Sequence, residues 1–383
     1  MIYRKIFNCI LFLICIISGG CFSLSIDKEV EVNKEEDWLM IGGNPEKINT
    51  SFSKSNLNPP FDLFWKYDVD GGLSRNCISV SDAILFVNTL NGEFYALDIL
   101  SGKSLGRVSV SGTSSFSTPL VFNNNVIIAS SGERGNSIFS YNLIRGEASW
   151  QRNTGWIESS PVMTDENVII STVFGAVYRL NAKDGKIIWK SQLKNPLSSF
   201  YTSPTLSGNK IFLGSTDGNM YAYEAVRGKE LWKFKTGGSI FCDASVKDGR
   251  LYFGSDDEKF YCLDTSGNKI WSAVLNTRFL SSPAFYKNYV IISGVDGNIY
   301  SLDTAGGISN WVFQTKGTVT ASPLLHKDKI FIGSYDQNFY CIGADKGNEL
   351  WKFLCEGRIK TSAVIWKDFI FTASDDKYIY CFK

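Results

Sequence analysis

Side chains able to do acid–base, nucleophilic or metal chemistry are few in this chain. It has one histidine, His326. That residue lies in Leu325-His326-Lys327-Asp328, which reads as a polar turn, so an exposed imidazole is expected. Carboxylates recur instead: Asp217, Asp257, Asp296, Asp336 and Asp376 stand at one hairpin turn in successive stretches of similar sequence. A hard cation needs several oxygen ligands converging on one point. The same residue at the same turn is better explained by Asp bonding its own backbone. Nine cysteines occur, none adjacent to another and none at His/Cys metal-site spacings. No Gly-rich phosphate loop and no nucleophile elbow is present. No catalytic residue and no metal ligand is therefore assigned. Arg75, Glu158, Asp243, Arg278, Arg358 and Lys360 each precede an innermost strand. They either face an axial channel, where they would hold a small anion or a peptide, or form a solvated rim.

The first residues read as an export signal. Arg4 and Lys5 are followed by an apolar stretch from Ile6 to Ile17, short for a membrane span. Ser18-Gly19-Gly20 then precedes Cys21, which resembles a bacterial lipoprotein signal with Cys21 as the lipidated residue. Residues 1–20 are expected to be cleaved. Residues 21–58 form a tether and lead-in, with the charged stretch from Asp27 to Asp37 solvated. The signal would take Cys9 and Cys15 with it. Cys77, Cys242, Cys262, Cys341, Cys355 and Cys381 remain, an even number that permits disulfides in an exported chain. Three of them occupy one slot of a repeat, which keeps them apart, so small buried thiols are expected. The 39 basic and 38 acidic residues nearly cancel, which excludes the basic footprint of a nucleic-acid binder.

What must position these groups is a repeat of about forty residues. Trp150, Trp189, Trp232, Trp271, Trp311 and Trp351 follow one another at intervals of 39, 43, 39, 40 and 40 residues. Trp65 starts the series and Leu105 fills the one missing Trp position. Each interval holds four short β-rich runs separated by Gly, Asp and Asn turns, as in Val319–Leu324, Lys329–Ser334, Asn338–Ile342 and Leu350–Phe353. The second run is apolar throughout (Ile211-Phe212-Leu213, Val290-Ile291-Ile292), as a strand buried on both faces requires. Four strands at this period predict an all-β propeller, closed and monomeric, over residues 59–383. No Trp-Asp dipeptide of WD repeats occurs, and the Gly pairs keep no kelch register. After Trp351 only three strands remain. The fourth is found at Leu63-Phe64-Trp65-Lys66-Tyr67, which matches Leu350-Trp351-Lys352-Phe353. Seven intervals and one blade closed by the N-terminal strand make eight blades. Closure of this kind leaves no exposed sheet edge to cap. The recurring Trp is read as the docking device between blades, so Leu105 predicts one weaker seam.

Asp184-Gly185-Lys186-Ile187-Ile188-Trp189 and Ala96-Leu97-Asp98 with Ser101-Gly102-Lys103 resemble the tryptophan-docking repeat of pyrroloquinoline quinone (PQQ) propellers. The opening Trp38–Pro45 resembles the lead-in of the same proteins. Two branches share that repeat. Quinoprotein dehydrogenases hold PQQ and usually Ca²⁺ on the propeller axis. The BamB branch comprises non-enzymatic outer-membrane lipoproteins that bind the periplasmic domains of BamA. The uniform short blades and the lipoprotein-like start favour the second branch, which implies no cofactor. It also implies a periplasm-facing outer-membrane location, or failing that a periplasmic or cell-surface one. The partner would be a BamA-like barrel assembly protein. A PQQ-dependent dehydrogenase and a ligand-binding sensor propeller are the alternatives. The loop from Lys194 to Pro204 resembles the BamB loop that contacts BamA, so Leu197, Phe200 and Tyr201 are the expected partner-binding residues.

Overall fold

The computed structural model describes residues 24–109, 114–132 and 137–383. Cys21 and the export signal lie outside the described residues. The described chain forms eight four-stranded antiparallel sheets and contains no helix. Each sheet is one blade of a ring, and blades are numbered here in chain order of their innermost strands. In blade seven the strands run outward as Leu324–His326, Lys329–Gly333, Asn338–Gly343 and Glu349–Leu354. In blade eight, Val364–Trp366, Phe369–Ala373 and Tyr378–Phe382 are completed by Leu63–Asp68, and Trp65 pairs with Cys381. The expected closure is therefore found.

The middle strands are buried on both faces and the outer strands alternate between exposed and half-buried. That pattern follows from the sequence: continuous apolar runs in the middle and alternating runs outside. The six cysteines among the described residues are free and buried, Cys262, Cys341 and Cys381 in strands and Cys77, Cys242 and Cys355 in the connections beside them. Asp217 illustrates the recurring turn. Its carboxylate accepts from the Asn219 backbone N–H at 3.0 Å and from the Tyr221 hydroxyl at 2.7 Å. Asp336 repeats both contacts with Asn338 and Tyr340. These aspartates are turn staples, as expected.

Seams between blades are docked by tryptophan. The Trp150 indole N–H donates to the Ala182 carbonyl at 2.8 Å, and its ring lies flat on Gly185. Gly185 has φ +67°, and a Cβ there would approach the ring to 2.5 Å, so two independent constraints demand glycine. Trp65, Trp189, Trp232, Trp271 and Trp311 make the same indole-to-carbonyl bond one blade on. Trp351 packs edge-on against Phe61, just before the closing strand.

The seam at Leu105 is built differently from expectation. Leu105 is corrected: it stands at the exposed bulge position, and Gly106, opposite Ala96, occupies the slot that Trp351 fills opposite Cys341. The place of the missing indole against blade two is taken by the N-terminal segment. The Ile26 backbone N–H donates to Leu143 at 2.8 Å, the carbonyl equivalent to Ala182. Tyr141 donates to the Leu24 carbonyl at 2.8 Å, and Leu24 and Ser25 lie over Gly146. Leu24, Ile26 and Val30 join the core between blades one and two. A distant stretch of chain thus supplies what the missing indole would have supplied.

The reading of Asp27–Asp37 as a solvated tether needs correction. The charged side chains from Asp27 to Glu35 do face solvent, but Val30 and Asp37 are buried and the backbone lies on the ring. From there residues 38–55 travel once around one face. Trp38 bridges Val80 in blade one, Leu39 accepts from Val121 in blade two, and Met40 packs on blade three. Pro45 and Glu46 accept from Leu206 and Val246 in blades four and five. Asn49 bonds Pro283 and Leu325 in blades six and seven, and Ser53 bonds Lys367 in blade eight. His326 is also corrected. It ends an innermost strand, is buried, and contacts the Ser55 carbonyl at 3.0 Å. The turn reading failed because this segment covers it.

Candidate functional site

None of the described residues crosses the opposite face. There the loops entering each innermost strand surround an axial cup of about 340 Å³. The repeat explains its construction. A loop such as Ile157-Glu158-Ser159-Ser160-Pro161 places a buried apolar residue first, then one side chain toward the axis, then two small polar residues. In the eight blades the axial position holds Ser74, Phe116, Glu158, Tyr201, Phe241, Leu280, Thr320 and Lys360, and every one of them lines the cup. The eight are chemically mixed, with Tyr201, Phe241 and Leu280 forming one apolar arc, whereas the positions around them repeat.

Below this ring the small polar residues link blade to blade. The backbone N–H groups of Thr118, Ser160, Ser282 and Ser322 donate to the hydroxyls of Ser160, Ser203, Ser322 and Ser362 at 2.8–3.0 Å. Ser203 donates likewise to Asp243 Oδ1 at 2.7 Å. The other oxygen of Asp243 faces Lys47 Nζ at 3.2 Å. Lys47 is fully buried and comes from the opposite face, where its ammonium also donates to the Ser203 carbonyl at 2.6 Å. Burial pulls the Lys47 pKa down, and Asp243 acts against that.

For the six charges the sequence leaves an axial channel or a solvated rim, and the structure divides them between the two. Arg75, Glu158, Asp243 and Lys360 line the cup. Arg278 and Arg358 lie on the exposed rim, paired with Asp256 and Asp375. Arg75 reaches from blade one to blade six, where Nη1 donates to the Leu280 carbonyl at 2.6 Å. Lys360 is paired with Asp375 at 2.7 Å. Glu158 has no hydrogen-bond or ionic partner among the described residues, and burial pushes its carboxyl above the ordinary value. Burial also lowers the Arg75 guanidinium, with Asp243 opposing.

The loop singled out in the sequence lies on this open face. Leu197 is 87% exposed, and Tyr201 lines the cup against Phe241 at 5.8 Å. Phe200 is corrected: it is fully buried, edge-on to Tyr221 at 6.0 Å, and presents no surface to a partner. It occupies the repeating apolar position one before the axial one. Sequence reasoning missed Trp156 and Phe174, which are exposed and meet at a tilt, with ring centroids 5.7 Å apart, on the same face. The signal was available, since Trp156 stands outside the forty-residue Trp register.

Fit to a quinone–calcium pair was tested on these residues. Among the described residues no group of three or more His, Cys, Asp or Glu side chains converges as a cation site. Of the two carboxylates lining the cup, Asp243 is tied to Lys47 and only Glu158 remains. That oxygen set is too small for a hard cation, so the residues present do not fit the pair.

The sequence pattern of one family, described as outer membrane protein assembly factor BamB, matches residues 56–161, 134–241 and 228–319. No curated protein sequence matches the chain. Among solved structures, BamB from Moraxella catarrhalis is 15% identical with a TM-score of 0.70, covering 85% of this chain and 98% of that one. The quinohemoprotein alcohol dehydrogenase of Comamonas testosteroni is 12% identical with a TM-score of 0.76, covering 92% and 81%. A second such enzyme, from Pseudomonas putida HK5, is 12% identical with a TM-score of 0.78, covering 91% and 80%. These likenesses share the fold across an assembly factor and enzymes, so the fold alone carries no activity. With the matched segments spanning residues 56–319, the chain belongs to the BamB family of PQQ-repeat propellers.

Proposed function

We propose that this chain is a non-enzymatic scaffold, anchored by lipid at Cys21 and facing the periplasm. In this reading it binds a barrel-assembly protein of the BamA type through its open face. The observation that carries the reading is the exposed apolar ridge of Trp156, Phe174, Leu197 and Tyr201 beside the cup. Aromatic side chains left on a surface are characteristic of binding hot spots. Family membership supports the nature of the partner, and the Cys21 signal supports the anchor.

Affinity capture from envelope extracts tests it. The protein should recover a barrel-assembly partner, and a Trp156→Ser/Leu197→Ser variant with an unchanged melting temperature should not. Equal recovery by the folded variant removes this face from the reading. A Cys21→Ser variant should leave the membrane fraction. Stoichiometric binding of PQQ with Ca²⁺, together with dye-linked alcohol oxidation, would replace the scaffold by a dehydrogenase.

A further inference from the structure

The axial cup combines features that a passive channel does not need. Its two opposite charges with unmet bonding capacity sit on different blades. Arg75 uses one N–H on the Leu280 carbonyl and has no carboxylate in direct contact. Glu158 has no partner among the described residues. Asp243 and Lys360 are paired with Lys47 and Asp375, and neither bonds Arg75 or Glu158 directly, although Asp243 acts on Arg75 through space. Between the poles stand Phe116 in blade two and Tyr201 and Phe241 in blades four and five. Partly desolvated charges without partners are costly, and a ligand bringing the opposite charges would relieve both. A volume near 340 Å³ is at the small end of ligand pockets.

We infer that the cup is a binding site for a small zwitterion with an apolar body, an amino acid or short peptide. Its carboxylate would bond Arg75, its ammonium would face Glu158, and its side chain would lie against Phe116, Tyr201 and Phe241. Arg suits this task because its planar fork can hold a carboxylate in two bonds. The eight axial residues differ where the rest of the repeat is uniform, which is expected of a site recognising one unsymmetrical ligand. The inference shares only Tyr201 with the outer ridge, and the Trp156→Ser/Leu197→Ser variant, which leaves the cup intact, separates the failure of one reading from that of the other.

Calorimetric titration of the purified protein tests it with four probes: phenylalanine, alanyl-phenylalanine, N-acetyl-alanyl-phenylalanine and alanyl-phenylalanine amide. One of the two zwitterions should bind at one site per chain, and the tighter of them says whether amino acid or peptide is the natural size. Blocking either terminus of the dipeptide should weaken binding by about tenfold or more, the loss expected for a charge-assisted bond. Glu158→Gln should abolish the difference between free and acetylated amine. Arg75→Gln should abolish the difference between acid and amide, and Arg75→Lys should restore part of it. Equal affinity for all four probes, or no binding to the folded protein, overturns the inference.

Discussion

The innermost strands have two ends, and the repeat is irregular at both. At one end the strands finish in Ser81, Phe122, Thr164, Ser207, Lys247, Tyr286, His326 and Trp366. At the other they are entered past the eight axial residues of the cup. Three of the first set are answered by the chain itself. Ser81 and the Trp366 indole donate to Asp37 at 2.7 and 2.9 Å, and His326 contacts Ser55. The second set has no such cover, and Glu158 is left without a partner among the described residues. Departure from a repeat therefore has two meanings in one molecule. Where residues 24–58 lie, it records internal packing. Where no described residue lies, it coincides with the face that the proposed partner and ligand would use.

The largest effect should come from removing closure. Deleting residues 59–68 takes away the outer strand of blade eight together with Phe61 and Trp65. The loss should be comparable with the whole folding free energy, about 5–15 kcal/mol. Chemical denaturation should then show no cooperative transition. A deletion variant that unfolds like the intact chain would refute closure by this strand.

Next come the seams. Trp232→Ala should cost about 3–5 kcal/mol and Leu24→Ala about 2–5 kcal/mol, as core truncations do. Leu105→Ala should stay within about 1 kcal/mol because that side chain is exposed. This ordering isolates the role of the N-terminal segment at the seam that lacks Trp. If Leu105→Ala costs as much as Trp232→Ala, then Leu105, not Leu24 and Ile26, docks blade two. Cup substitutions should invert the pattern. Glu158→Gln and Tyr201→Ser should change stability by no more than about 0.5 kcal/mol, while altering what the open face binds.

The ring was legible because its determinants are local and repeated. The Trp spacing, the apolar second strands and the match between Leu63–Tyr67 and Leu350–Phe353 name the blades and their closure. What was not legible depends on contacts between distant segments. Residues 24–58 carry no repeat signature, so nothing in their composition shows that Ile26 replaces an indole N–H or that Ser55 covers His326. Phe200 was misread for a related reason. It sits one residue from the axial position, and in a strand-like loop a single step turns a side chain from the cup into the core. The axial set itself was partly found through its charges, while Phe116 and Phe241 escaped because apolar residues attract no notice in an apolar repeat.

The smallest predicted effect concerns the covered face. His326 is held neutral: burial lowers its pKa below the usual 6.5, Lys327 and Lys329 add to that, and the Ser55 carbonyl and Asp328 oppose. A carbonyl only accepts, so Nε2 carries the proton, and Nδ1 is left buried without a partner among the described residues. The unfolded chain takes up a proton as pH falls through about 6.5, before the folded chain does. Stability from this group is therefore intact above that pH and declines below it, by at most about 1.4 kcal/mol per pH unit. The decline ends once pH passes the folded value. Asp217 and Asp336 act lower on the scale. Desolvation tends to raise them, but the bonds from Tyr221 and Asn219, and from Tyr340 and Asn338, hold both below the ordinary carboxylate value. Urea denaturation of the wild type should show a fall as pH drops below about 6.5 that His326→Gln removes, since Gln can still donate to Ser55 without titrating. A fall of the same slope in the variant would place the titrating group elsewhere and return His326 to the solvent-exposed turn that its sequence suggests.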